Sequence, residues 1–203
     1  MLKMLYFWKD DKHQPLTPKG EVKNMKKIIA FLMILGFASS SCEPDDICDP
    51  NTPTTPRMLI QFFDISNPSV KKNVTNLKVI GEGMSEGVVL TPEGIDEAKY
   101  VTNLNSILLP LKTNGDVVKY QFILNFGNKN PVLVNTDNLE FKYTREELYV
   151  SRACGFKTNF HLDPRNPFTL TDAAPADEKW IQYIIVAQNN ITLENETIIK
   201  IFF

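Results

Sequence analysis

Histidine is almost missing from this chain of 203 residues, which has only His13 and His161. The three cysteines, Cys42, Cys48 and Cys154, include no CxxC pair. A zinc site needs three or four such ligands at workable spacing, so no metal and no cofactor are expected. Any serine or cysteine nucleophile after Cys42 has His161 as its sole histidine base. Basic clusters are missing too: residues 42–203 carry fifteen Lys/Arg against twenty-one Asp/Glu. Nothing there neutralises a run of phosphates, which argues against a nucleic-acid partner. The apolar run at residues 28–38 has eleven residues. As a helix it covers about 16 Å of a hydrocarbon core of about 30 Å, too little to span a bilayer.

What is present begins with an address. From Met25 the chain reads MKKIIAFLMILGFASSSC, with Lys26 and Lys27 ahead of the apolar run and Ser39, Ser40 and Ser41 before Cys42. That is the layout of a secretory signal peptide over residues 25–41. Residues 1–24, charged and interrupted by Pro15 and Pro18, fit no part of it. They are expected to be a start-site extension, with translation beginning at Met25.

The end of the signal resembles a bacterial lipobox, in which cleavage leaves an acylated cysteine as the first residue. Ser39 stands where that pattern has leucine. Cys42 is the expected lipidation site and would hold the protein to the membrane. Cleavage by ordinary signal peptidase around residues 38–40 is the rival. Residues 42–56, rich in Pro, Thr and acids, read as a flexible tether. Glu43, Asp45 and Asp46 are similar to the export signals of some Bacteroidota lipoproteins, and a solvated acidic linker accounts for them equally well.

With Cys42 acylated, Cys48 and Cys154 form an even pair in an exported protein, and a disulfide between them is expected. It would close a loop of roughly 107 residues and contribute about 4.7 kcal/mol in the chain-entropy picture.

Residues 57–203 read as a domain of strands. Val118, Tyr120, Phe122, Leu124 and Phe126 alternate with Lys119, Gln121 and Asn125, and Leu139, Phe141 and Tyr143 with Glu140, Lys142 and Thr144. Further strands are expected at 58–65, 76–81, 88–91, 107–112, 148–156, 180–189 and 197–203. The 180–187 run is apolar enough for a central strand covered on both faces, and Cys154 shares the parity of Leu148, Val150 and Phe156. Residues 92–98 are expected to hold at most one short helical turn. Turn signals such as Asn67-Pro68 and Asn130-Pro131 separate the runs. The expected fold class is all-β, an antiparallel β-sandwich of immunoglobulin-like or related topology. The closing IIKIFF strand resembles that of an outer-membrane barrel, but most strands are too short for one.

Few motifs carry chemistry. Gly83-Met84-Ser85-Glu86-Gly87 matches a nucleophile pattern, with His161 and Asp163 as the available partners. Apolar strand-like residues follow it where a helix is required, so a loop is the expected reading. Glu146-Glu147 reads as loop charge. Trp180, Tyr183, Tyr143 and Tyr149 are candidates for a carbohydrate floor, although burial in strands explains them as well.

The lipobox cysteine Cys42, the Asp45-Asp46-Ile47-Cys48 and Ala153-Cys154-Gly155-Phe156 segments, residues 55–60 and the last strand together resemble an uncharacterised Bacteroidota lipoprotein family, a domain of unknown function. That resemblance implies an envelope address and paired Cys48 and Cys154, with no known activity. The expected protein is a non-enzymatic binding or assembly module at the outer membrane, periplasmic or surface-facing. Its expected partners are the membrane, through the lipid anchor, and an envelope protein or glycan. The alternative is a hydrolase of envelope polysaccharide or peptide.

Overall fold

The computed structural model describes Met25, residues 27–33 and residues 47–203. Cys42, the expected cleavage region and the first tether residues lie outside the described residues. The chain divides into two compact units, Met1–Asp46 and Ile47–Phe203. The described residues of the first are helical and exposed. Among the described residues, no helix is long and apolar enough to cross a membrane.

In the second unit the two-residue period becomes two packed sheets. β1 (Met58–Phe63) buries Met58, Ile60 and Phe62 completely. It lies between β4 (Ser106–Leu109) and β11 (Thr197–Phe202), with β9 (Tyr183–Val186) on the far side of β11. The β1–β11 pair is parallel, with Ile60 opposite Ile199 and Phe62 opposite Ile201. The expected all-antiparallel sandwich therefore contains one parallel pair, made possible because β1 and β11 are far apart in sequence.

The second sheet runs β10 (Asn190–Ile191), β7 (Gly155–Leu162), β6 (Asn135–Ser151), β5 (Val117–Leu124), β2 (Leu77–Gly81) and β3 (Val101–Thr102). β8 (Phe168–Asp172) adds to β6 beyond the end of β7. Tyr120, Phe122, Leu139, Phe141, Tyr143 and Phe160 pack this sheet against Ile60, Phe62, Ile199 and Ile201 of the other in one core. Each fully buried large apolar side chain contributes roughly 1.5–3 kcal/mol from its removal from water.

Several boundaries differ from the sequence reading. Residues 88–91 form no strand; Val88 is buried, and its N–H donates to Val79 O at 2.7 Å from a loop. The short helical turn lies at Asp96–Tyr100. Residues 148–156 are a hairpin, not one strand, because the chain reverses between β6 and β7 with Gly155 at φ 69°. The 180–187 run is no central strand either. β9 is a sheet edge, and Tyr183 is 57% exposed. Trp180 and Ile181 are buried by turning into the core: Trp180 Nε1 donates to Phe122 O at 3.1 Å.

Candidate functional site

Cys48 and Cys154 are joined in a disulfide, with Cα atoms 4.9 Å apart. Cys154 lies in the β6–β7 turn, so the parity with Leu148, Val150 and Phe156 does not place it. Its N–H donates to Ser151 Oγ at 3.0 Å. The strap continues beyond the bond, because Thr158 N donates to Thr55 Oγ1 at 3.0 Å and Pro56 is buried. Residues 47–56 thus belong to the strand unit. A bidentate pair between Arg57 and Glu194, both contacts at 2.8 Å, closes the entry to β1.

The serine pattern is a loop with two geometric demands. Gly83 has φ 81°, a left-handed conformation that glycine adopts without strain. A Cβ on Gly87 would stand 2.9 Å from Tyr100 Cβ, so the position has no room for a side chain. Ser85 is exposed on this loop. His161 is engaged elsewhere, with Nδ1 2.9 Å from Asn190 Oδ1 and Nε2 3.4 Å from Glu146 Oε2. Asp163 accepts from Arg165 N and Asn166 N, which hold its carboxyl below the usual range. No nucleophile, base and orienter come together in these contacts. Glu146 and Glu147 lie in β6 rather than in a loop.

The expected aromatic floor also divides. Trp180 and Tyr143 are buried, whereas Tyr183 sits exposed on the β9 edge. Tyr149 is exposed near the β6–β7 turn and meets Phe156 edge-on at 5.4 Å. Burial pushes the hydroxyls of Tyr120 and Tyr143 up, and both are held by backbone: Tyr120 donates to Pro110 O, and Tyr143 Oη accepts from Lys112 N at 2.8 Å. These are structural groups.

A recess of about 520 Å³ lies on the outer face of the larger sheet. Strand register builds its floor in two polar rungs across β5, β6 and β8. Gln121 is opposite Asn138, which is opposite Thr171; Lys119 is opposite Glu140, which is opposite Thr169. Residues 81–84 supply a wall, with Met84 half-exposed at its rim. Lys119 Nζ lies 3.5 Å from Glu82 Oε1 and 3.6 Å from Glu140 Oε2. The surface offers amide and hydroxyl groups that both donate and accept, with one ammonium set between carboxylates. Such a floor suits hydrogen bonding to a neutral polar ligand. Sequence reading identified Lys119 and Gln121 only as a wet face, because β-register alone brings Asn138 and Thr171 beside them. Among the described residues, no group of three or more His, Cys, Asp or Glu side chains is placed to hold a metal.

The model of a family of unknown function (DUF6452) matches residues 76–203. No curated protein and no solved structure matches the chain.

Proposed function

Because the chain belongs to the DUF6452 family of unknown function, we propose its role from its own surfaces. It is an exported, lipid-anchored envelope protein whose β-sandwich binds a polar, uncharged ligand of glycan type without turning it over. The observation that carries this reading is the amide and hydroxyl rung Gln121–Asn138–Thr171, beside the charged rung Lys119–Glu140–Thr169, flooring a recess of about 520 Å³. The signal layout before Cys42 and the Cys48–Cys154 bond support the address, since disulfides persist in oxidising compartments.

One observation favours a hydrolase as second reading. Glu82 and Glu140 share Lys119, so their paired oxygens lie at most the sum of its two contacts apart, about 7 Å. A separation of at most that length admits the spacing used by carboxylate pairs in glycoside hydrolysis. Against it, the lysine stands between the two carboxylates, and the Glu82 side chain is 57% exposed where a general acid needs a dry site.

Titration of the purified protein with oligosaccharides released from the envelope separates the readings. Binding is expected, with the Gln121→Ala, Asn138→Ala double variant weakened at least about tenfold, or about 1.4 kcal/mol. Shortening of the oligosaccharides by wild type but not by Glu140→Gln would establish the hydrolase. Absence of both binding and cleavage would remove the groove as a glycan site.

A further inference from the structure

Three buried oxygens with no hydrogen-bond partner belong to residues placed where β6 and β8 meet the loop at residues 173–182: Asn135 Oδ1, Asp137 Oδ1 and Asp172 Oδ1. Asp137 and Asp172 are direct partners in the antiparallel ladder. Asn135 lies two residues before Asp137 on the same strand and therefore on the same face. Directly opposed side chains in such a pair have Cβ atoms about 4.5–5.5 Å apart.

Each of the three commits its other polar atom to the loop. Asp172 Oδ2 accepts from Asp177 N and Glu178 N at 3.1 and 2.9 Å. Asn135 Nδ2 donates to Glu178 O at 2.6 Å, and Ile181 N donates to Asp137 Oδ2 at 2.8 Å. The loop is thus drawn over the three side chains, and the second oxygen of each is left without a donor. Asp137 is fully buried. A buried carboxylate oxygen without a partner is costly, and a second carboxylate opposite it adds repulsion.

We propose that Asn135, Asp137 and Asp172 form a site for a hard divalent cation of the calcium class, which fastens the 173–182 loop to the sheet. The donors are all oxygens, two from carboxylates and one from an amide, with no sulfur or imidazole. Calcium takes six to eight such oxygens in flexible geometry and accepts waters and backbone carbonyls to complete its shell. Magnesium demands a tighter octahedron and sheds water reluctantly. A surface depression lined by Asp172, Glu178, Lys179 and Gln182 adjoins the site on its Asp172 side.

A shared proton is the competing account. Burial, with Asp172 adding repulsion, pushes the Asp137 carboxyl up to about 6, while Lys179 pulls it down. A proton would serve one pair of oxygens and leave the third without a donor. A cation held among them would serve all three.

The test titrates the full chain, freed of metal by chelator, with calcium chloride and follows heat and melting. The expected result is saturable binding of one calcium per chain, with Kd in the range of about 10⁻⁴–10⁻³ M typical of extracellular modules. At about 10 mM calcium the melting temperature rises by several degrees, and magnesium at equal concentration gives less than half that rise. Asp172→Asn keeps acceptors for the loop N–H groups and should lose at least tenfold in calcium affinity. Should that variant not fold, Asn135→Ala, which leaves both carboxylates in place, should lose affinity in the same direction. Absence of heat and of any melting shift in wild type overturns the proposal. So does an equal calcium response in a folded variant.

Discussion

Asp137 concentrates the physics of this fold in one side chain. It is fully buried, fixes the Ile181 N–H, and faces Asp172 across the ladder. Without metal, its carboxyl titrates near 6 in the folded chain against 3.8 ordinarily, chiefly because burial disfavours the charged form. The folded state then holds its proton over a window where the unfolded chain has released it. Stability from this group is complete below pH 4 and is lost as pH rises through about 6. Asp64, Asp163 and Glu194, all held below their usual range, act in the opposite sense on acidification. The informative quantity is therefore a difference. In chelator, the stability of wild type minus that of Asp137→Asn should fall by about 2–3 kcal/mol between pH 4 and 7, read from urea midpoints at each pH. A difference that stays flat would show that Asp137 titrates normally. The residue was invisible as a site in sequence because Asp137 occupies a core-parity position in β6, where alternation alone suggests an apolar residue.

At the scale of elements, the strands with mixed faces were the legible ones. β5 alternates exposed and buried residues throughout Val117–Phe122, and β6 alternates buried and half-buried ones from Asp137 to Tyr143. The 180–187 run misled because an apolar segment does not say what covers it; here Trp180 and Ile181 reach the core while β9 keeps an exposed edge. β8 gave no distinct signal, since Thr169 and Thr171 dilute a five-residue strand. Residues 88–91 have the valines of a strand, yet Val88 N donates to Val79 O while Leu90 N and Thr91 N both donate to Lys99 O, a loop pattern and not a ladder. The tie of residue Cys48 to the β6–β7 turn through Cys154 is the connection most open to test. Removing a link across 106 residues should cost about 2–4 kcal/mol, below the roughly 4.7 kcal/mol of the ideal chain. Dithiothreitol should lower the urea midpoint of wild type toward that of the Cys48→Ser, Cys154→Ser variant and leave the variant unchanged. An unchanged wild-type midpoint would mean that the bond adds nothing to stability.

For the whole molecule, class and cysteine pairing were legible because each rests on local pattern or on simple counting. The groove was not, since Gln121, Asn138 and Thr171 become neighbours only through two ladders. The proposed anchor has its own test. Cells fed an alkyne-bearing fatty acid should label the protein, and Cys42→Ala should abolish the label and release the protein from the membrane fraction. Equal labelling of the variant would exclude Cys42 as the acylated residue. The disulfide also decides how the domain meets mechanical force. Tension arriving along the chain from before Cys48 passes through the sulfur bridge into the turn that joins β6 and β7. Residues 49–57 are left slack, and β1 is not peeled from its place between β4 and β11. The pull falls instead on β6, seventeen residues long and laddered to β5, β7 and β8. In the reduced chain the same pull would load the Thr55–Thr158 contact and the Arg57–Glu194 pair, and then β1 in the smaller sheet.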